Sequence, residues 1–275
     1  MAFLALPPHP ALASLVLGYW FIEDLEGSYE GNPIRTTPHT AAVLTLNFGT
    51  PCRSEFSAGA PRASLLGVQT RPRVWHSGEG CSFVMVMLRP PGLARLFPSM
   101  GLESRDELIE LGGLLGDGPS RRLGEDVSAA WEPRRVARRL DAWLLQRAEA
   151  ARGVERELER LGWAWTALSS ASRVDDAARA AGVSVRQLER WFQVHVGCSP
   201  KELQGLERVQ ASFRAAQTGQ GDPLQGFSDQ AHQIRQWRRY LGMTPGRYAR
   251  TSWSTLAEFF AQSRDAAPEG LSHFF

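Results

Sequence analysis

The stretch "GFSDQAHQIRQWRRYLGMTPGRYAR", Gly226 to Arg250, decides the fold. Five arginines (Arg235, Arg238, Arg239, Arg247 and Arg250) are interleaved with Phe227, Trp237, Tyr240 and Tyr248, in a chain whose net charge is only +2. The layout also occurs earlier, as "SVRQLERWFQVHVGCSP" from Ser184. Each copy opens at a serine, runs through polar and basic residues to aromatics, and ends in Gly-x-Ser/Thr-Pro. Serine to glycine is 13 residues in the first copy and 14 in the second.

A helix that follows a short helix and a small-residue turn is the plan of a helix-turn-helix. The second helix of that plan lies in the DNA major groove, with residues near its start at the base edges. In the first copy Leu188, Phe192 and Val196 fall at i, i+4 and i+8 and face inward, leaving Arg186, Gln187, Glu189, Arg190 and Gln193 outward. Arginine pairs with guanine through two hydrogen bonds and glutamine with adenine, so this face suits direct readout. Trp191, Phe192, Trp237 and Tyr240 sit at inward spacing and read as core rather than stacking platforms.

Start signals precede these helices. Ser172–Asp175 resembles a cap, as does Ser184-Val-Arg-Gln187. Ser199-Pro-Lys-Glu202 is the strongest, with serine capping, proline first in the helix and glutamate reaching back to the cap. The segment from Pro200 to Gln217 would be a rod roughly 27 Å long at 1.5 Å per residue. Successive major-groove faces lie about 34 Å apart on one side of the duplex, so such a rod suits two readers in adjacent grooves. Charge follows this division. Residues 173–250 hold 12 Lys/Arg against 7 Asp/Glu, whereas the first 172 hold 18 against 19. A local positive excess is what phosphate contact requires.

Upstream the text changes. "AAVLTLNFG" alternates, with Ala42, Leu44, Leu46 and Phe48 on one face of a strand, and "SFVMVMLRP" is a buried strand stopped by Pro90 and Pro91. A helical period follows, with Val136, Leu140, Trp143 and Leu144 on one stripe suited to interdomain packing or a dimer interface. Gly153 stands where that helix would break. The division predicted is an α+β chain: a mixed α/β effector-type domain with short strands over 1–150, an all-α double helix-turn-helix domain over 155–250, and a tail over 251–275.

At 275 residues, 43% hydrophobic and 22% charged, the chain has an ordinary globular composition and length for two domains. Three scattered cysteines make no disulfide framework and indicate a reducing, cytoplasmic compartment. The apolar run "ALASLVLGYWFI" is too short to span a bilayer and has no basic start, so no membrane partner is expected. His39, His76, Cys52 and Cys81 match no compact ligand spacing, so no metal or cofactor is expected. Cys81 reads as an inert buried thiol. No catalytic signature is present, and the chain is read as a non-enzyme.

"AARAAGVSVRQLERWFQVHVGCSPKEL" and "GFSDQAHQIRQWRRYLGMTPGRYAR" together resemble the double helix-turn-helix domain of AraC/XylS-type bacterial transcription regulators, over about residues 173–250. "LVLGYWFIED", "LLGVQTRP" and "MLRPPGLARLF" are similar in plan to N-terminal effector domains of one subgroup. The resemblance implies base contacts from Arg186, Glu189 and Arg190 in the first helix, joined by Gln187 on spacing. In the second it implies Gln230, Ala231, His232 and Arg235, with Arg238 and Arg239 nearer phosphates. Trp20, Arg35, Arg71, Arg73, Trp75 and Arg89 are candidates for an effector pocket. The partners implied are a promoter duplex and a small-molecule effector, in a nucleoid-associated protein; a homodimer and RNA polymerase contact are compatible with this.

Two departures stand out. Before "GFSDQ" the text is "TGQGDPLQ", about five residues short of a supporting helix and hostile to one. Gln233 occupies a core position usually aromatic. Left buried and unpaired it would cost roughly 1–3 kcal/mol, unless the helix turned Ile234 inward. On these grounds the first unit is the sounder reader. The alternative is a ligand- or protein-binding regulator in which the second unit has impaired DNA recognition.

Overall fold

The structure is a computed structural model that describes residues 2–27, 30–31, 33–54, 59–130, 132–150, 155–170 and 173–250. Gly153, Ser172 and the tail 251–275, on which earlier expectations rest, lie outside the described residues.

The N-terminal half is richer in strands than its sequence suggests. Its strands are β1 (Ala2–Leu6), β2 (Val16–Asp24), β3 (Ile34–Thr36), β4 (Ala42–Asn47), β5 (Arg53–Ser54), β6 (Ala63–Leu66), β7 (Arg73–His76), β8 (Cys81–Leu88) and β9 (Leu108–Glu110). They form an antiparallel sheet in the order β1-β2-β8-β4-β6-β9, and a smaller one in the order β3-β7-β5.

The period of two makes the large sheet two-faced. On one face Tyr19 and Phe21 of β2, Leu44 and Leu46 of β4, Leu65 of β6, and Val84 and Val86 of β8 join a core shared with helices. On the other, Trp20, Ile22 and Asp24, then Val43, Thr45 and Asn47, then Phe83, Met85 and Met87, look toward the small sheet. The strands expected from "AAVLTLNFG" and "SFVMVMLRP" are β4 and β8, in adjacent register with Leu44 opposite Val86.

Helices α1 (Pro90–Leu96), α2 (Gly101–Ser104), α3 (Leu111–Leu115), α4 (Asp117–Ala129) and α5 (Pro133–Ala150) follow. Pro90 and Pro91, which end β8, open α1, where a missing amide hydrogen costs nothing. The stripe of α5 is spent inside the same half: Val136, Leu140 and Leu144 are buried with Leu44 and Val86, and Trp143 packs at the edge. It is therefore neither interdomain nor a dimer face.

The C-terminal half is helical: α6 (Glu155–Ser169), α7 (Val174–Ala180), α8 (Val185–Val196), α9 (Pro200–Thr218), α10 (Gln230–Leu241) and α11 (Pro245–Tyr248). One core gathers Leu161 and Trp165 of α6, Leu188 and Phe192 of α8, Leu206 and Phe213 of α9, and Trp237 of α10. At Gly205 of α9 an added Cβ would stand 3.1 Å from the Tyr240 hydroxyl, so a small residue lets α10 lie close.

Candidate DNA interface and effector cavity

The two candidate readers, α8 and α10, are built alike. Ser184 Oγ accepts the Gln187 amide at 3.2 Å and caps α8, which ends at Gly197 with a left-handed φ of 86°. In α10 the cap is Asp229 rather than Ser228; its carboxylate accepts the His232 amide at 2.7 Å, and Gly242 ends the helix at φ 69°. Measured from cap to glycine both helices are 12 residues long, and the one-residue discrepancy between the copies disappears. The His232 amide holds the Asp229 carboxyl below its ordinary pKa, as expected for an anion at a helix start.

The inward faces are closed. Leu188, Trp191, Phe192, His195 and Val196 are buried on α8, and Gln233, Trp237, Tyr240 and Leu241 on α10. Outward, Arg186, Glu189 and Arg190 are exposed, as are Gln230, Ala231, Arg235, Arg238 and Arg239; Gln187 and His232 are half-buried. His232 Nδ1 lies 3.3 Å from Ser228 Oγ, and its ring meets Phe227 edge-on, so it helps brace the helix start.

Gln233 is not the unpaired amide that the sequence suggests. It stays inward, with Ile234 only half-buried. Its Nε2 donates to Ser212 Oγ at 3.0 Å and to the Pro223 carbonyl at 2.8 Å. Ser212 Oγ also accepts Trp237 Nε1 at 2.9 Å and donates to the same Pro223 carbonyl at 2.6 Å. One hydroxyl thus uses its donor and both lone pairs. The short "TGQGDPLQ" segment supplies, through the Pro223 carbonyl, an acceptor that the Gln233 and Ser212 side chains share.

Glu202 also departs from its expected role. Ser199 Oγ accepts the Glu202 amide at 3.2 Å, as a cap should. The carboxylate instead takes both ends of the Arg105 guanidinium, at 2.7 and 3.1 Å, with Arg239 3.9 Å from the nearer of the two oxygens. Arg105 also donates to the Gly197 carbonyl at 3.1 Å. An N-terminal residue therefore sits between the end of α8 and the start of α9. Around it, an added Cβ on Gly101 would fall 2.4 Å from the backbone nitrogens of Val196 and Gly197. The Ser99 amide donates to His195 Nδ1 at 3.2 Å, which leaves Nε2 to donate to Glu157 at 2.8 Å. Ser99 and Asp106, flanking α2, hold φ of 65° and 56°, unusual for residues other than glycine.

Behind this joint lies the N-terminal cavity, about 110 Å³, between the two sheets. Its walls are Trp20, Ile22, Ile34, Val43, Leu66, Trp75, Phe83, Met85, Met87 and Leu108, with Asp24, His39, Asn47, Ser64, Gln69 and Ser77 among the polar groups. No arginine or lysine stands among its described lining residues. Of the expected pocket residues, Trp20 and Trp75 line it and the four arginines do not. Arg35 and Arg71 are exposed, Arg71 lying 3.8 Å from Glu107. Arg73 is buried with its guanidinium on the Asp106 carbonyl, and Arg89 lines a cleft against Trp165 and Arg214.

His39 and Gln69 join the cavity to the joint. They pair by backbone, at 3.0 and 3.2 Å, and touch by side chain. Burial lowers the His39 pKa to about 4, so its imidazole is neutral at pH 7. One residue on, the Thr70 amide donates to the Asp106 carboxylate at 2.7 Å, next to Arg105. Ser64 Oγ and Gln69 Oε1 are buried without a hydrogen-bond partner among the described residues.

Among the described residues no helix is long and apolar enough to cross a membrane, and no group of three or more His, Cys, Asp or Glu could hold a metal ion. Capped helices with closed inner and polar outer faces, carried twice on a basic helical half, define a two-domain helix-turn-helix DNA-binding protein. Residues 177–251 match the family described as "Helix-turn-helix domain", and residues 4–110 match a domain of unknown function, DUF6597. The C-terminal domain thus belongs to the helix-turn-helix family, in keeping with the resemblance of its sequence to AraC/XylS-type regulators.

No curated protein matches the chain. Among solved structures, ToxT from Vibrio cholerae O395 is similar at 12% identity and a TM-score of 0.43, over 83% of this chain and 96% of that one. Unsaturated-fatty-acid-bound wild-type ToxT from Vibrio cholerae strain SCE256 is similar at 10% identity and 0.41, over 86% and 94%. That likeness is too distant to bear on site or ligand.

Proposed function

We propose that the protein is a one-component regulator whose two readers bind one operator sequence-specifically, under the control of a small molecule held between the N-terminal sheets. The doubled reader carries the proposal: two equal-length helices expose Arg186, Glu189 and Arg190 on one, and Gln230, Ala231 and Arg235 on the other. Arg186, Arg190 and Arg235 supply guanine contacts, Gln187 and Gln230 adenine contacts, and Arg238 and Arg239 phosphate contacts. The rod between them is 19 residues, roughly 28 Å, which suits adjacent grooves.

The effector would be small and largely apolar. An apolar cavity of roughly 150 Å³ accepts a benzene-sized ring, and this one is somewhat smaller. With Asp24 in the wall and no cation among the described lining, a neutral or cationic molecule is favoured over an anion. Ser64 and Gln69 would take its polar group. Occupancy at Gln69 would be felt through Thr70 and Asp106 at Arg105, and so by both units.

Selection from a random duplex pool tests this. Enrichment of one site with two half-motifs about one helical turn apart is expected; a selected pool indistinguishable from the input would refute sequence-specific reading.

A further inference from the structure

Cys81 opens β8 of the large sheet, and Cys52 lies just before β5 of the small one. Their Sγ atoms are 3.3 Å apart, both as free thiols, and Cys52 lines the cavity. The backbone holds them there. The Phe48 and Gly49 amides both donate to the Ser82 carbonyl, at 2.8 and 3.2 Å, and the Thr50 amide donates to Gly80 at 2.8 Å. A Cβ at Gly49 would strike the Gly80 carbonyl at 1.8 Å, so this approach depends on glycine. Cys81 is buried, as expected from sequence, and meets this neighbour from 29 residues away in the chain.

We propose that Cys52 and Cys81 form a peroxide-responsive dithiol that closes to a disulfide at the wall of the cavity. Pairing with Cys52 brings the Cys81 thiol below its ordinary value, while the same pairing and burial push Cys52 up, and a hydrogen bond to Ser77 favours the thiolate of either. Two thiols in contact share one hydrogen bond, so loss of one proton leaves a thiolate that the remaining thiol stabilises. Hydrogen peroxide, small enough for the cavity, reaches the pair from the Cys52 side. The thiolate attacks one peroxide oxygen and the O–O bond breaks. The departing hydroxide takes up the released proton, leaving a sulfenic acid and water. The second sulfur then attacks the sulfenic sulfur, the S–O bond breaks, and the hydroxyl leaves with the remaining thiol proton as water. Two thiols lose two electrons, and one peroxide becomes two waters.

Closure brings the sulfurs to about 2.0 Å, drawing the two sheets together where Asp24, Ser77 and Trp75 line the cavity. Oxidation would thereby alter the binding space; that consequence rests on the effector reading, whereas the disulfide does not.

The test treats the full chain with excess hydrogen peroxide at neutral pH, then denatures, alkylates with iodoacetamide and digests without reductant. Mass spectrometry should find the Cys52 and Cys81 peptides joined and only Cys198 alkylated, with alkylated cysteines falling from three to one and returning to three after dithiothreitol. Cys52→Ser and Cys81→Ser should each abolish the linkage. Alkylation of both cysteines after a treatment that oxidises the methionines would overturn the dithiol, as would a link to Cys198. If the disulfide forms but affinity for the pool-selected DNA site is unchanged, its coupling to the reader falls and the dithiol stands.

Discussion

Truncating Ser212 to alanine isolates the feature on which the second DNA-reading unit depends. The hydroxyl is 1% exposed and makes three hydrogen bonds, two accepted and one donated. After truncation Gln233 keeps its bond to the Pro223 carbonyl, and that carbonyl keeps Gln233. Trp237 Nε1 loses its acceptor inside a fully buried ring. One orphaned neutral donor costs about 1–3 kcal/mol, which lowers local protection roughly 5- to 150-fold at 1.4 kcal/mol per tenfold. Amide hydrogen exchange measures this directly, because α10 slows or quickens against α5 as an internal reference. Ser212→Ala should speed exchange across α10 by that factor and leave α5 unchanged. Adding Trp237→Phe removes the stranded donor, so the double change should cost less than the two singles summed, by about 1 kcal/mol. Equal exchange in both variants and the parent, or strict additivity, would refute the view that this hydroxyl replaces the missing helix.

Three further outcomes follow from the joint and its surroundings. Gly101→Ala puts a methyl against the α8 backbone and should destabilise the chain by about 1–3 kcal/mol in thermal melts; an unchanged Tm would contradict the close approach. Arg105→Ala should still bind the selected DNA site but lose the response of that binding to any cavity ligand, and a preserved response would remove Arg105 from the coupling. Burial raises the Glu207 carboxyl from 4.5 to about 7. Below pH 4.5 it is protonated folded or unfolded; above, the unfolded chain ionises first, so folded stability falls as pH rises to about 7. Glu207→Gln should match the parent near pH 4.5 and exceed it at pH 8, whereas parallel urea midpoints would contradict the shift.

Much of the helical half was legible because caps, glycine stops and a period of 3.6 are local signals. Leu188, Phe192 and Val196 face inward as their spacing requires, and Ser199 and Pro200 open a helix as written. What depended on distant partners was not legible. The amide of Gln233 finds Ser212 21 residues away, and Glu202 leaves its own cap for Arg105 97 residues away. In the N-terminal half the arginines drew attention as pocket residues because charge is conspicuous in a sequence. The cavity is instead walled by alternate residues of β2, β4 and β8, whose other faces form the core. That alternation is visible in "AAVLTLNFG", but which face meets a second sheet depends on pairings between strands far apart in the chain.

The central claim is that α8 and α10 read DNA. Its most direct test is affinity for the pool-selected site across a salt series, for the parent chain, Arg190→Ala and Arg235→Ala. The account expects log affinity to fall linearly with log salt, and each alanine to weaken specific binding by about 1–3 kcal/mol while relaxing preference at its own half-motif. A flat salt dependence, or undiminished affinity in both variants, would contradict it.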